Sequence, residues 1–121
     1  MKSDGNTGRL AENLAIAHLV RRGYRLLTRN YHCRRGEIDA VMLDHSTLVF
    51  IEVRCRAAGQ NAALESITWT KRRRLLFAAQ HYLAYHPTDL PCRFDVVVIS
   101  GDPMTKNARI EHFTAAFSYG E

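Results

Sequence analysis

Asp39 and Glu52 are the residues of this chain whose types and spacing best suit chemistry. They lie in two stretches, Gly36–Leu43 and Leu48–Arg56, that alternate apolar and polar residues as strands do, joined by the turn-like Asp44-His45-Ser46-Thr47. A tight hairpin there puts Leu43 opposite Leu48 and Val41 opposite Phe50. The same register puts Asp39 opposite Glu52 and Glu37 opposite Arg54, all on one face. Carboxylates directly across a ladder stand about 5 Å apart at Cβ and repel one another. A divalent cation between them removes that repulsion. Magnesium or manganese takes oxygen ligands and keeps several waters, so Asp39 and Glu52 are candidate ligands, with the Val53 carbonyl as a third oxygen. Arg54 follows Glu52 by two residues on the same face, where a cation stabilises charge on a phosphate. A bound metal lowers the pKa of a water and orients it for in-line attack on phosphorus. The competing reading is a surface pattern, with Glu37 and Arg54 forming an exposed ion pair worth under about 1 kcal/mol.

The surrounding pattern predicts the elements that would hold these groups. Residues Met1–Thr7 read as a loose arm and Gly8–Arg22 as a helix closed by Gly23. Apolar residues run nearly all round that helix, which predicts that it is largely buried. Glu12 sits among Ala15, Ile16 and Leu19 at helical spacing. It either joins the acidic cluster, paired or near a metal, or escapes to solvent at the first turn and favours the helix dipole. Tyr24–Asn30 reads as a short strand followed by a basic loop with Arg29, His32, Arg34 and Arg35. Ala57–Ala63 reads as a loop. Ser66 or Thr68 caps a second helix that runs to about Tyr85 and is stopped by Pro87, with Leu75, Leu76, Ala79, Tyr82 and Leu83 inward. Arg93–Ser100 is a near-continuous apolar strand, as expected for one buried on both faces. Arg109–Phe113 reads as a last short strand, and the tail from Ser118 as frayed. The order of elements describes one mixed sheet flanked by helices. Helical passage from the hairpin to the Arg93 strand makes those two strands parallel neighbours.

Composition bounds the partners. The chain has 121 residues, enough for a single domain with one sizeable core, and 46% are hydrophobic. No apolar run reaches the roughly 18 residues of a membrane-spanning helix, and Met1–Thr7 has no signal-peptide core, so the expected location is the cytoplasm with no membrane partner. The three cysteines form no metal-type spacing and read as reduced, structural thiols. Net charge is +5, and arginines supply 14 of the 17 basic residues. Arginine's planar fork binds phosphate oxygens in pairs, so the polyanion expected is nucleic acid. Arg34, Arg35, Arg54, Arg56, Lys71, Arg73 and Arg74 are the candidate backbone contacts. The run Lys71-Arg72-Arg73-Arg74 lies in the first turns of a helix, where positive charge opposes the dipole. It is either a phosphate-binding face or a solvated one.

Gly36-Glu37-Ile38-Asp39, followed later by Glu52-Val53-Arg54, resembles the catalytic signature of the PD-(D/E)XK nuclease superfamily, whose fold is restriction-endonuclease-like. Over roughly Gly8–Ser100 the chain is similar to the YraN-like family of small bacterial proteins. That match runs through Gly8, Glu12, Gly23-Tyr24, Arg29-Asn30, the Gly36–Asp39 segment, Val49–Arg54, Lys71, Arg74-Leu75 and Arg93–Val97. The resemblance implies an α/β domain with Asp39 and Glu52 as metal ligands and Glu12 completing the acidic cluster, as in resolvase-like members. Arg54 stands where the superfamily has lysine; it keeps the charge but is a poor proton shuttle. Ala11 replaces a glycine expected before Glu12. Three readings follow: a magnesium- or manganese-dependent endonuclease, with DNA ahead of RNA and junctions among the substrates; a catalytically inactive nucleic-acid-binding module; and an adaptor whose arginines meet an acidic protein. Symmetric cutting of two strands would favour a homodimer.

Overall fold

The computed structural model describes residues 3–56 and 68–117, with side chains placed for 8–56 and 68–116. Helix α1 spans Ser3–Arg21, followed by β1 (Arg25–Cys33), β2 (Gly36–Asp44), β3 (Thr47–Arg56), α2 (Trp69–Tyr85), β4 (Cys92–Ser100) and β5 (Arg109–Phe117). The strands form one sheet in the order β1-β2-β3-β4-β5. Only the β3–β4 pair is parallel, as the crossover through α2 requires.

Each helix covers one side of the sheet. Ala11, Ala15, Ile16 and Leu19 of α1 pack on Ala40, Met42, Val49, Ile51, Val97 and Ile99. Leu75, Ala78, Ala79 and Tyr82 of α2 pack on Ile38, Val41, Leu48, Phe50, Phe94, Val96 and Val98. Residues 94–100 of β4 are therefore buried throughout, with no alternation. The first helix departs from expectation in two ways. It starts at Ser3, so residues 3–7 continue the helix rather than form an arm; a helix nucleated by its buried turns extends cheaply. It buries one stripe rather than its whole surface, since Ala17 and Val20 face solvent; an exposed alanine costs a helix little. Its end is as the sequence implies: Gly23 has φ +98°, and Tyr24 N–H donates to Leu19 O at 3.0 Å, the bond of a Schellman closure.

Strand β1 extends to Cys33, so Arg29 and His32 belong to it and the basic turn is Arg34-Arg35 alone. The hairpin closes through His45-Ser46 in the expected register, with Leu43 opposite Leu48 and Val41 opposite Phe50. Thr68 caps α2, its Oγ1 accepting from Lys71 N–H at 3.2 Å. The 57–63 loop, Ser66 and the tail from 118 lie outside the described residues. No described helix is long and apolar enough to cross a membrane.

Gly36 sets the distance between α2 and the sheet. A Cβ there would lie 1.8 Å from the Arg74 carbonyl oxygen and 2.7 Å from its carbon. Both are backbone atoms and cannot rotate away, so helix and strand would have to separate. Gly36→Ala is expected to cost about 3 kcal/mol, at the upper end of overpacking, read as a lower urea midpoint with unchanged slope.

Candidate active site

The β2–β3 ladder stops where the carboxylates begin. Pairing runs from Asp44–Thr47 to Ala40–Ile51. At the next position the Asp39 side chain takes over, its Oδ2 accepting the Val53 N–H at 2.7 Å. The strand also turns there. Ile38 and Val41 belong to the same cluster under α2, although strict alternation would put them on opposite faces. Asn30 lies level with Asp39 between the Arg29–Ala40 and Tyr31–Ile38 pairs and has φ 53°, a left-handed conformation that asparagine tolerates. The kink crosses both strands. The single-face register predicted for Glu37, Asp39, Val41 and Leu43 therefore fails at Asp39. On its other side Glu37 lies opposite His32 of β1, with His32 Nδ1 to Glu37 Oε1 at 3.3 Å.

Asp39 and Glu52 do come close enough for each carboxyl group to shift the other. The Glu52 side chain is 14% exposed. Burial and then the charge of Asp39 push the Glu52 carboxyl up to about 8. Burial raises Asp39 as well, opposed by the Val53 N–H. Each carboxylate makes the other harder to ionise, because two like charges this close repel. Arg54 is near, with Nη1 3.9 Å from Glu52 Oε2. Its guanidinium favours ionised Glu52, and the Lys71 ammonium favours ionisation of both carboxyls.

Glu12 approaches from α1 but is held by Arg29, with Nη2 to Oε1 at 3.6 Å. Burial and then the charge of Asp39 raise its carboxyl, and Arg29 opposes both. It therefore shares the electrostatic field of Asp39 from a partly buried position. Among the described residues, no three of His, Cys, Asp and Glu converge as a ready-made ligand set. Two oxygen-bearing side chains still suffice for magnesium, which is ordinarily held by one or two carboxylates and completes its shell with water.

A shallow, half-open cleft lies beside Glu52, lined by Glu37, Glu52, Lys71, Arg74 and Leu75. It suits an ion, water or a single phosphate. Lys71 and Arg74 reach it because they share a face of α2 with the buried Leu75. Sequence spacing placed Lys71 among backbone contacts; the fold brings it to the carboxylates. Arg34, Arg35, Arg73 and Arg74 are exposed around the same end of α2. Arg56 faces elsewhere, donating from Nε to Ser100 Oγ at 2.8 Å and from Nη2 to Glu111 Oε1 at 3.4 Å.

A second polar cluster was not foreseen. Asp95, 1% exposed, accepts from Arg93 Nε at 2.9 Å and Nη2 at 3.1 Å, from His112 Nε2 at 2.8 Å and from Ala115 N at 2.9 Å. Arg93 Nη2 also donates to Tyr24 Oη at 2.6 Å and to Asp44 Oδ2 at 3.0 Å. This network ties β4 to β5, to the start of β1 and to the hairpin turn. The clue in the sequence was a charged residue, two after an arginine, inside an otherwise apolar strand.

Comparison with known proteins places this arrangement in a family. The uncharacterised protein family UPF0102 matches residues 11–99, which include β1 to β3, α2 and all but the last residue of β4. The chain belongs to the UPF0102 family. A UPF0102 protein of Nitrosomonas europaea is 50% identical over 103 residues, covering 84% of this chain and 87% of its own. One from Nitrosococcus oceani is 52% identical over 83% of each chain, and one from Saccharophagus degradans is 43% identical over the full length of both. The UPF0102 match spans Glu12, Asp39, Glu52, Arg54, Lys71 and Arg74.

Proposed function

We propose that this UPF0102 protein is a metal-dependent endonuclease that hydrolyses phosphodiester bonds in DNA, branched DNA included. The observation that carries the reading is the Asp39–Glu52 carboxyl pair at a strand kink, with Glu52 beside a cleft it shares with Lys71 and Arg74 and with Arg54 3.9 Å away. A buried carboxylate pair weakens a fold, and a phosphate-binding surface gains nothing from one. Its resemblance to the PD-(D/E)XK signature supports the same reading.

Asp39 and Glu52 would hold magnesium or manganese, with the Val53 carbonyl as a further oxygen and Glu12 tuning the field from behind Arg29. The ion, when bound, supplies a Lewis acid that makes water a nucleophile near neutral pH. Both carboxyl groups would have to be ionised to hold it, so its affinity would rise with pH. Arg54 and Lys71 present positive charge to the scissile phosphate as negative charge builds on it. Lys71 also answers the difficulty posed by Arg54: an amine can exchange a proton, whereas a guanidinium stays charged. Arg34, Arg35, Arg73 and Arg74 hold the flanking backbone, giving affinity that falls steeply with salt.

The test is cleavage of labelled linear, forked and four-way-junction DNA with magnesium or manganese, comparing wild type with Lys71→Met. The expected result is metal-dependent cutting that drops roughly 100-fold in the variant while binding changes only a few-fold. Salt-sensitive binding without cutting of any substrate would leave an inactive binding module, the reading that Arg54 in place of lysine favours. Absence of both would leave an adaptor.

A further inference from the structure

We infer that the outward face of the first turns of α2 is a stacking platform for unpaired bases, with Trp69 as the base-contacting residue. The inference rests on the nucleic-acid reading above and specifies its substrate class: a strand with unpaired nucleotides, free or as the arm of a branched molecule.

Trp69 is the first residue of α2 and is 64% exposed. A large aromatic ring left in water at a helix start does nothing for the core. Its surroundings are cationic. Lys71, Arg72, Arg73 and Arg74 follow it, and the first turn of α2 has no acidic residue. The Arg72 guanidinium carbon lies 5.8 Å from the indole ring. One turn further on, Phe77 is flanked by Arg35 at 4.0 Å and by Arg73 at 6.0 Å. Positions 69, 73 and 77 fall along one side of a helix, so rings and guanidinium groups alternate from the start of α2 to the β1–β2 turn.

A partner for this strip must offer flat apolar faces and negative charge together. An unpaired nucleotide offers both, a base to stack and a phosphate to pair. In a duplex the base faces are already covered by their neighbours, leaving phosphate for the arginines and nothing for the indole. The cleft lies on the inner side of the same turns, where Lys71 and Arg74 face Glu52. A strand drawn over the start of α2 thus meets Trp69 with its bases and the carboxylate pair with its backbone.

Trp69 is the only tryptophan in the chain, so its fluorescence reports on this contact directly. The intact protein would be titrated, in metal-free buffer, with a dye-labelled oligothymidine strand and with a duplex of equal length. Anisotropy follows binding and indole emission follows stacking. The expected result is quenching by the single strand, with roughly 10-fold weaker single-strand binding in Trp69→Ala, near-normal binding in Trp69→Phe and duplex affinity unchanged in both. Single-strand binding with unchanged emission and full affinity in Trp69→Ala overturns the platform and leaves the nucleic-acid reading intact. No anisotropy change with either DNA overturns that reading, and the platform with it.

Discussion

Asp95→Ala is expected to lower the unfolding free energy by about 3–5 kcal/mol, the cost of breaking a buried ion pair from one side. A domain has only about 5–15 kcal/mol in total, so this is the largest stability effect expected of any substitution considered. The physical reason is what remains behind. Asp95 receives hydrogen bonds from Arg93, His112 and the Ala115 amide. Its loss leaves a His112 side chain that is 5% exposed, and a backbone N–H, without that acceptor. Arg93 keeps Asp44 and Tyr24, which holds the cost toward the lower figure. Burial pushes the Asp95 carboxyl up, but the bonds from His112, Arg93 and Ala115 outweigh it and hold the carboxyl below the ordinary range. A depressed folded-state pKa gives stability that is present above the unfolded value, about 3.9, and is lost as pH falls through the folded one. The gap between wild type and Asp95→Asn in urea unfolding should therefore narrow below about pH 4. A gap that stays constant down to pH 2 would show that the carboxylate's charge is not what matters.

Glu52→Gln is expected to abolish cleavage, by roughly 100-fold or more, and at the same time to stabilise the fold in alkali. The two effects have one cause. A carboxyl pushed up to about 8 is penalised in the folded state when ionised. That penalty is absent below the unfolded pKa, near 4.3, grows as pH rises toward 8, and is constant above. Wild type loses stability across this window, whereas glutamine has no charge to desolvate. The expected midpoint difference is near zero at pH 4 and reaches roughly 4–8 °C in favour of the variant at pH 9, for ~1–2 kcal/mol relieved. Thermal melts across pH without divalent metal test this. Wild type more stable than the variant at pH 9 would mean that Glu52 is better off charged than this environment allows. Added manganese should raise the wild-type midpoint and leave the variant's unchanged, because the ion binds the folded carboxylate pair and competes with its proton.

Much of this was legible in the chain itself. The hairpin register followed from side-chain alternation and a two-residue turn, because a one-residue slip would have exposed the whole apolar set. The parallel β3–β4 pair followed from the length of the helical connection, the end of α1 from Gly23, and the limits of α2 from Pro87 and a cap read as Ser66 or Thr68. Asp39, Glu52 and Arg54 were marked by adjacency along two strands that the hairpin brings together. These are local matters, decided by period, turn chemistry and caps. What only the tertiary structure decided involves residues distant in sequence. The kink at Asp39 depends on Asn30 of the neighbouring strand and on the Val53 amide. Lys71 reaches the carboxylates because Gly36 lets the backbone of α2 come down onto β2. Glu12 is held by Arg29, and Asp95 is made tolerable by Arg93, His112 and a backbone amide from β5. Alternation and spacing describe one strand or one helix at a time; the cost of burying a charge depends on every element packed around it.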